Sequence, residues 1–381
     1  MTTPVGADVR PSADMRITFV IPEIGSGGAE HALVILAHRW SAAGRPITIL
    51  TYDDGTSPPF YELDSSIRHL PMNLAGDSPG VLAAVRNNLK RAGVLRREIR
   101  RSRPDLVVSF IDQTNVLTLV ATRGVGVPVV VVEQSDPRSF PIKRIWERLR
   151  LLTYSRARSI VLLSGRDIQY FPKRLHRRVA VIPNAFVLPE PEAELARPRL
   201  EQSTLIAVGR LHRDKGFDIL LEAFSLIRNG HPEWNLKILG EGAERGTLER
   251  QRAELGLEEC VFLPGRVKDP YAHMRLASLF VLPSRAEGFP LALCEALACG
   301  LPAVCTDCAG GVHDIIENGI NGVIVPAGDP PALANALSRL MADEPERLRL
   351  ARRAPDVMQR FNPEKTFEVW ESLLGEVVNH R

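Results

Sequence analysis

Residues 278–307 read SLFVLPSRAEGFPLALCEALACGLPAVCTD. SLFVLPS (278–284) and PAVCTD (302–307) are short apolar runs of the kind that suits parallel strands buried on both faces. The segment between them carries a helix, so the whole is a strand–helix–strand unit. Pro290 suits the first helical position, where its missing N–H would have no partner anyway, and Gly300 is a stop. Two acids, Glu287 and Glu295, bracket the helix start. Gly288 and Phe289 form the turn that aims free backbone N–H groups outward, and those donors together with the helix dipole favour an anion. Glu287 stands at the rim of that anion site and Glu295 about 7–8 Å further along the helix, at 1.5 Å per residue. Acids so placed can accept hydrogen bonds from hydroxyls on either side of a diphosphate, a ribose on one side and a sugar on the other. The plainer alternative makes Glu287 a helix-start acid and Glu295 a surface residue. Ala292, Leu293, Ala296 and Leu297 around Glu295 speak against full exposure.

The same alternation extends in both directions. Upstream, strands are expected at 204–210, 235–242 and 260–265, and downstream at 322–327, with helices such as 217–229 between them. The first half repeats the pattern at 16–22, 46–52, 105–110, 127–133, 159–164 and 179–183. NAFVLPEPEAELARPRLEQ (184–202), rich in Pro and Glu and without periodicity, reads as a linker. The fold class is therefore α/β, two Rossmann-like doubly wound domains facing a cleft, with ligands at the carboxyl ends of the strands. The expected boundaries are 1–184 for the first domain, of which 1–15 is a polar, disordered leader, 185–202 for the linker, and 203–363 for the second domain. The halves show no close sequence repeat.

Composition removes several classes. The chain has 381 residues, 45% hydrophobic and 24% charged, ordinary for a soluble globular protein of two domains. No apolar run approaches the roughly 18–20 residues of a membrane span, and the polar, acid-bearing N-terminus is not a secretory signal. Five scattered cysteines fit a reducing cytoplasm. Cys305 and Cys308 form a lone C-x-x-C without the second ligand pair a zinc site needs. No D-x-D occurs, so the usual carboxylate pair for a nucleotide-bound Mg²⁺ is missing and no metal is expected. No partner nucleic acid is expected either. The net charge of +3 hides an asymmetry: residues 1–190 carry +9 and the remainder −6. Arginine dominates 86–103 and 143–158. The second stretch spaces Ile145, Trp146, Leu149, Leu152 and Tyr154 between its cations, as a helix lying on an anionic membrane surface would; solvated helix faces are the alternative.

Two further motifs bear on chemistry. GSGGAE (25–30) follows the first strand and opens a helix, so its glycines let backbone N–H groups approach a phosphate or sugar; a plain tight turn would look the same. It is not the dinucleotide G-x-G-x-x-G, because Glu30 stands where the third glycine belongs. GRLHRDKGFD (209–218) follows the first strand of the second half, and Arg210 and Lys215 can converge there on a diphosphate; a solvated loop is the alternative.

Taken together, GSGGAE, IPN (182–184), VGRLHRDKGFD (208–218), ILGEGAER (238–245), LPGRVKDP (263–270) and EGFPLALCEALACGLPAV (287–304) resemble glycosyltransferase family 4, from about residue 16 to the C-terminus. Residues 110–138, FIDQTNVLTLVATRGVGVPVVVVEQSDPR, resemble the branch of N-acetylgalactosamine-type transferases that build lipid-linked oligosaccharides and exopolysaccharides. The resemblance implies the GT-B fold, retention of the anomeric configuration, and a last helix (364–381) that returns to the first domain. It implies that Arg210 and Lys215 hold the donor diphosphate, that Glu295 binds the ribose, and that Glu287 holds hydroxyls of the transferred sugar. Gly288, Phe289, Pro290 and Leu291 would supply backbone contacts, Arg266 and Val267 would lie by the base, and Gly27 and Gly28 would approach the phosphate. Many relatives carry a His after the fourth strand, where this chain has VVVVEQ; Glu133 and Asp112 are the candidates for the acceptor side. Many also have Asn after GFP, where Leu291 stands.

The expectation is a cytoplasmic, inner-leaflet peripheral enzyme. It would move a hexose or N-acetylhexosamine from a nucleotide diphosphate sugar, UDP-linked, to a lipid-linked saccharide, with no cofactor. A UDP-sugar epimerase on the same fold and an inactive scaffold subunit are the rivals.

Overall fold

The computed structural model describes residues 14–76, 80–188, 203–308 and 310–379. The chain separates into two compact units: Met1–Ala185 with Pro363–Arg381, and Phe186–Asn362. The expected leader (1–15) and linker (185–202) lie outside the described residues, apart from 14–15 and 185–188.

The first unit is built on seven parallel strands: β1 (Ile17–Ile21), β2 (Ile47–Thr51), β3 (Arg68–Pro71), β4 (Leu106–Phe110), β5 (Val129–Val132), β6 (Ser159–Leu162) and β7 (Val179–Val181). Their order is β3-β2-β1-β4-β5-β6-β7, so the direction of winding reverses between β1 and β4, which pair from Ile17↔Leu106 onward. Its helices are α1 (Gly28–Ala42), α2 (Val81–Ser102), α3 (Asp112–Ala121), α4 (Arg144–Thr153), the single turn α5 (Lys173–His176) and, from the end of the chain, α14 (Pro363–Asn379). Alternation along the strands feeds two cores. Ile17, Phe19, Ile21, Val108 and Val130 pack against α1 and α14. Val20, Leu50, Val107, Val129 and Val131 pack on the other face with residues of α2 and α3. Both faces being covered is why these strands read as continuous apolar runs. Phe19 stacks on Trp40 at 5.5 Å, and Trp370 of α14 meets Trp40 edge-on at 5.8 Å. Arg45 grips Glu371 through two 2.6 Å hydrogen bonds. α14 is thus held to the unit by an aromatic and a bidentate contact together.

The second unit has six parallel strands: β8 (Thr204–Val208), β9 (Asn235–Leu239), β10 (Val261–Gly265), β11 (Leu279–Leu282), β12 (Ala303–Asp307) and β13 (Gly322–Pro326), in the order β10-β9-β8-β11-β12-β13. Its helices are α6 (Phe217–Ile227), α7 (Arg245–Glu254), α8 (Pro270–Arg275), α9 (Leu291–Ala298), α10 (Val312–Ile315), α11 (Pro330–Ala342), α12 (Glu344–Arg353) and α13 (Val357–Arg360). Here the winding reverses between β8 and β11, so the loops after these two strands meet at the carboxyl edge where doubly wound sheets bind ligands.

Three expectations are corrected. β3, with sequence RHLP, was not expected: it is a half-buried edge strand, so it needs no apolar run. Pro290 is the N-cap rather than the first helical residue, and α9 starts at Leu291. The stretch 143–158 is not one amphipathic face. The helix ends at Thr153, and Tyr154 and Arg150 turn inward and are buried, while Trp146 and Leu149 pack against the core. What faces outward is Lys143, Arg144, Ile145, Arg148, Leu152 and Arg156.

Candidate functional site

In the second unit, a short turn (Arg213–Lys215) follows β8, and Gly216 passes the chain into α6 at φ +65°. A Cβ at Gly216 would sit 2.1 Å from the carbonyl oxygen of Pro283, so only glycine lets this loop lie against the loop after β11. Arg285 then braces the two loops. Its guanidinium donates to both carboxylate oxygens of Asp218 at 2.7 Å and to the carbonyl of Arg213 at 2.9 Å. The close approach brings Lys215 to Glu287: Nζ donates to Oε1 at 2.7 Å and Oε2 at 2.8 Å. The Ser284 hydroxyl donates to Oε1 at 2.6 Å, and Thr306 in turn donates to the Ser284 carbonyl. Glu287 is only 5% exposed. A carboxylate buried to this degree is tolerable because it is ion-paired and hydrogen-bonded.

Immediately beyond Glu287, α9 begins. Its ladder opens with the N–H groups of Leu293 and Cys294 donating to the Pro290 carbonyl at 3.0 and 3.3 Å. The N–H groups of Leu291 and Ala292 precede it, the orphan donors that favour an anion at a helix start. Gly288 is braced by the Gly311 N–H donating to its carbonyl at 2.8 Å, and Phe289 packs edge-on against Phe361 at 5.2 Å. Glu295, one turn further, is 7% exposed and accepts from the Tyr271 hydroxyl at 3.0 Å. Burial pushes its carboxyl up to about 7, and the Tyr271 hydrogen bond opposes that shift. Neither acid is a surface residue.

The remaining expected residues fall as follows. Arg210 lies in the same loop after β8, exposed, and contacts neither Glu287 nor Lys215. Arg266 and Val267 follow β10, exposed and half-buried respectively. Gly27 and Gly28 belong to the other unit, at the start of α1. There the Glu30 side chain folds back so closely that a Cβ on Gly27 would lie 2.2 Å from its Oε2. Gly27 therefore makes room for an internal carboxylate at this helix start.

Glu133 and Asp112 are also in the first unit. Glu133 directly follows β5 and is buried. The Tyr154 hydroxyl donates to it, and Arg150 Nη1 stands 3.7 Å from Oε2. Arg150 also pairs with Glu147 and donates to the Tyr170 hydroxyl at 3.0 Å. Burial pushes Glu133 up to about 7, with Arg150 opposing, and burial also raises Asp112. Asp112 follows Ile111, a β-branched residue at φ +73°, a strained conformation for such a side chain.

Sequence reasoning missed Ser284, Tyr271 and the Arg285–Asp218 brace. Tyr271 and the Arg285–Asp218 brace act through contacts between residues far apart in the chain, whereas Ser284 bonds Glu287 three residues on. Among the described residues no group of three or more His, Cys, Asp or Glu side chains could hold a metal ion.

Against known proteins, residues 27–185 match the glycosyl transferase 4-like domain and residues 193–357 the glycosyl transferases group 1 domain. Over 366 residues the chain is 27% identical to a Campylobacter jejuni GalNAc-alpha-(1->4)-GalNAc-alpha-(1->3)-diNAcBac-PP-undecaprenol alpha-1,4-N-acetyl-D-galactosaminyltransferase, covering 96% of this chain and 99% of that protein. Among solved structures it superposes on sucrose-phosphate synthase from Thermosynechococcus elongatus with a TM-score of 0.83 at 19% identity, covering 96% and 100% of the two chains. On Anabaena HepE in complex with UDP and glucose the TM-score is 0.76 at 21% identity, covering 93% and 97%. The protein belongs to the glycosyltransferases built from these two domains, with the GT-B fold.

Proposed function

We propose that this glycosyltransferase moves a hexose or N-acetylhexosamine, with retention, from a UDP-sugar to a saccharide carried on a membrane lipid. The observation that carries the donor half is the Lys215–Glu287 pair set against the start of α9, with Glu295 buried one turn on. In this reading Lys215 and Arg210 take the diphosphate together with the orphan N–H groups, and Glu295 accepts from ribose hydroxyls. Glu287, relieved of Lys215, accepts from hydroxyls of the sugar. The fixed cations stabilise charge as it develops on the leaving diphosphate, whose own oxygen takes the acceptor proton. Arg266 and Val267 flank the base. No metal or cofactor takes part. The UDP complex of HepE makes UDP the first nucleotide to test.

The acceptor half rests on the relative that acts on an undecaprenol-linked saccharide and on the surface of the first unit. α2, α3 and α4 pack side by side. Their outer surface carries Leu82 at 88% and Leu152 at 67% exposure, with Val85, Leu89 and Ile145 also exposed among Arg86, Lys90, Arg144 and Arg148. Apolar side chains interleaved with cations suit an anionic leaflet. No helix among the described residues is long and apolar enough to cross a membrane. The surface and the relative together support a reading of peripheral attachment at the cytoplasmic face.

The deciding experiment is thermal stabilisation by UDP, GDP, ADP and NAD, on the intact chain and on Glu295→Ala. A ligand at 100 times its Kd adds about 2.7 kcal/mol. A UDP-selective shift that the variant loses is expected. No shift with any nucleotide would overturn the reading.

A further inference from the structure

Tyr271 has no part in the roles described so far. It lies on α8, the short helix directly after the loop that holds Arg266 and Val267. That helix is started deliberately: Asp269 caps it by accepting from the Ala272 N–H at 3.0 Å, and Pro270 occupies its first position. The cap fixes the turn from which Tyr271 projects. α8 packs on α9, and the half-buried Tyr271 places its hydroxyl 3.0 Å from Oε1 of Glu295.

We infer that Tyr271 is a positioning residue of the donor site, whose hydroxyl orients the Glu295 carboxylate and holds it ready to accept from the ribose. The inference rests on the donor reading above and deepens it. A ribose diol offers two O–H donors, so its partner must be an acceptor at both. A protonated carboxyl spends one oxygen on a donor of its own. Glu295 therefore works as the carboxylate, in a place where burial favours the neutral acid. A phenol O–H directed at one oxygen favours the ionised form and fixes the rotamer at once, and it can do so before any nucleotide arrives. Charged and titratable groups near this carboxyl lie on α8, α9 and α13. On its own helix Cys294 and Cys299 are thiols that burial pushes up, Cys299 to about 11. Arg275 and Asp269 on the α8 side and Arg360 of α13 exert their charge on those thiols. The tyrosine also links two subsites, because the segment that would flank the base delivers the group that sets the ribose acid.

The test is calorimetric binding of UDP to the full chain from pH 6 to pH 9, on the wild type, Tyr271→Phe and Glu295→Gln. Phenylalanine keeps the ring and its packing and removes only the hydroxyl. Losing a hydrogen bond to a charged group raises the carboxyl by about one pH unit. The ratio of variant to wild-type Kd, in which titration of UDP itself cancels, is then expected to be about tenfold at pH 6, about fivefold at pH 7 and close to one at pH 9. Glu295→Gln is expected to bind weakly and without the wild-type rise in affinity with pH. A Tyr271→Phe ratio of one at every pH, or a loss equal at every pH, overturns the inference, the latter making Tyr271 a packing residue only. If wild-type protein does not bind UDP at all, it is the donor reading that fails.

Discussion

Glu133 and Glu295 make an instructive pair. Each is buried at the carboxyl edge of a parallel sheet, each accepts from a tyrosine hydroxyl, and burial pushes each up to about 7. They differ in what else faces them. Glu133 has the buried guanidinium of Arg150 3.7 Å away, itself tied to Glu147 and Tyr170 and lying over the rings of Tyr170 and Phe171. At Glu295 the shift comes from burial, opposed by one phenol. Glu133 is enclosed with its own cation. Glu295 accepts from a donor that carries no charge, the Tyr271 hydroxyl. Glu287 stands between the two cases: its cation, Lys215, is on a side chain still 26% exposed and can turn to a phosphate.

The comparison can be broken most forcefully at Arg150. Arg150→Met leaves Glu133 buried without its cation, and removing one partner of such a pair costs about 3–5 kcal/mol. A chemical-denaturation midpoint lowered to match is expected, with UDP affinity at 25 °C unchanged. A variant as stable as wild type would mean that Glu133 does not depend on Arg150.

Glu295→Gln should act in the opposite direction. A carboxyl raised from 4.5 to about 7 on folding keeps its proton better in the folded chain. Its forced ionisation therefore costs stability, a cost that grows as pH rises from about 4.5 to about 7 and is constant above. Removing the charge is expected to stabilise by about 3 kcal/mol at pH 8 and by about 0.8 kcal/mol at pH 5, while UDP binding is weakened. Denaturation at both pH values checks it. Equal effects at the two would show that Glu295 is ionised in the fold without penalty.

The smallest effect is expected on the surface of α4. Arg144→Gln with Arg148→Gln removes two exposed cations, each worth about 1 kcal/mol against an anionic leaflet. Partitioning onto phosphatidylglycerol vesicles is expected to fall about 30-fold, with stability within about 0.5 kcal/mol of wild type. Unchanged partitioning would remove α4 from the membrane-facing surface.

Much of this was legible along the chain. Twelve of the strands answer to continuous apolar runs, because a parallel strand covered on both faces must be apolar throughout. β3 escaped because its sequence, RHLP, holds no apolar run, unlike those of the other edge strands, β7, β10 and β13. Glu287 and Glu295 were legible because a glycine–proline turn, an apolar helix and two acids all lie within sixteen consecutive residues. The inward turn of Arg150 and Tyr154 was not. Charge and apolarity along 143–158 look the same whether a side chain meets solvent or a buried glutamate seventeen or twenty-one residues earlier.

The sequence by itself determined the class of fold, the two-unit pattern and the segment that carries the two acids, because periodicity and turn chemistry are local properties. Only the tertiary structure decided which charges are spent. Lys215 reaches Glu287 across 72 residues, Arg285 reaches Asp218 across 67, and Tyr271 reaches Glu295 from a neighbouring helix. Reversal of the winding between β8 and β11 brings the first two together, and the packing of α8 on α9 brings the third. Partners chosen by sheet order leave no mark on local spacing, since the fold sets the distance between them and the chain length does not.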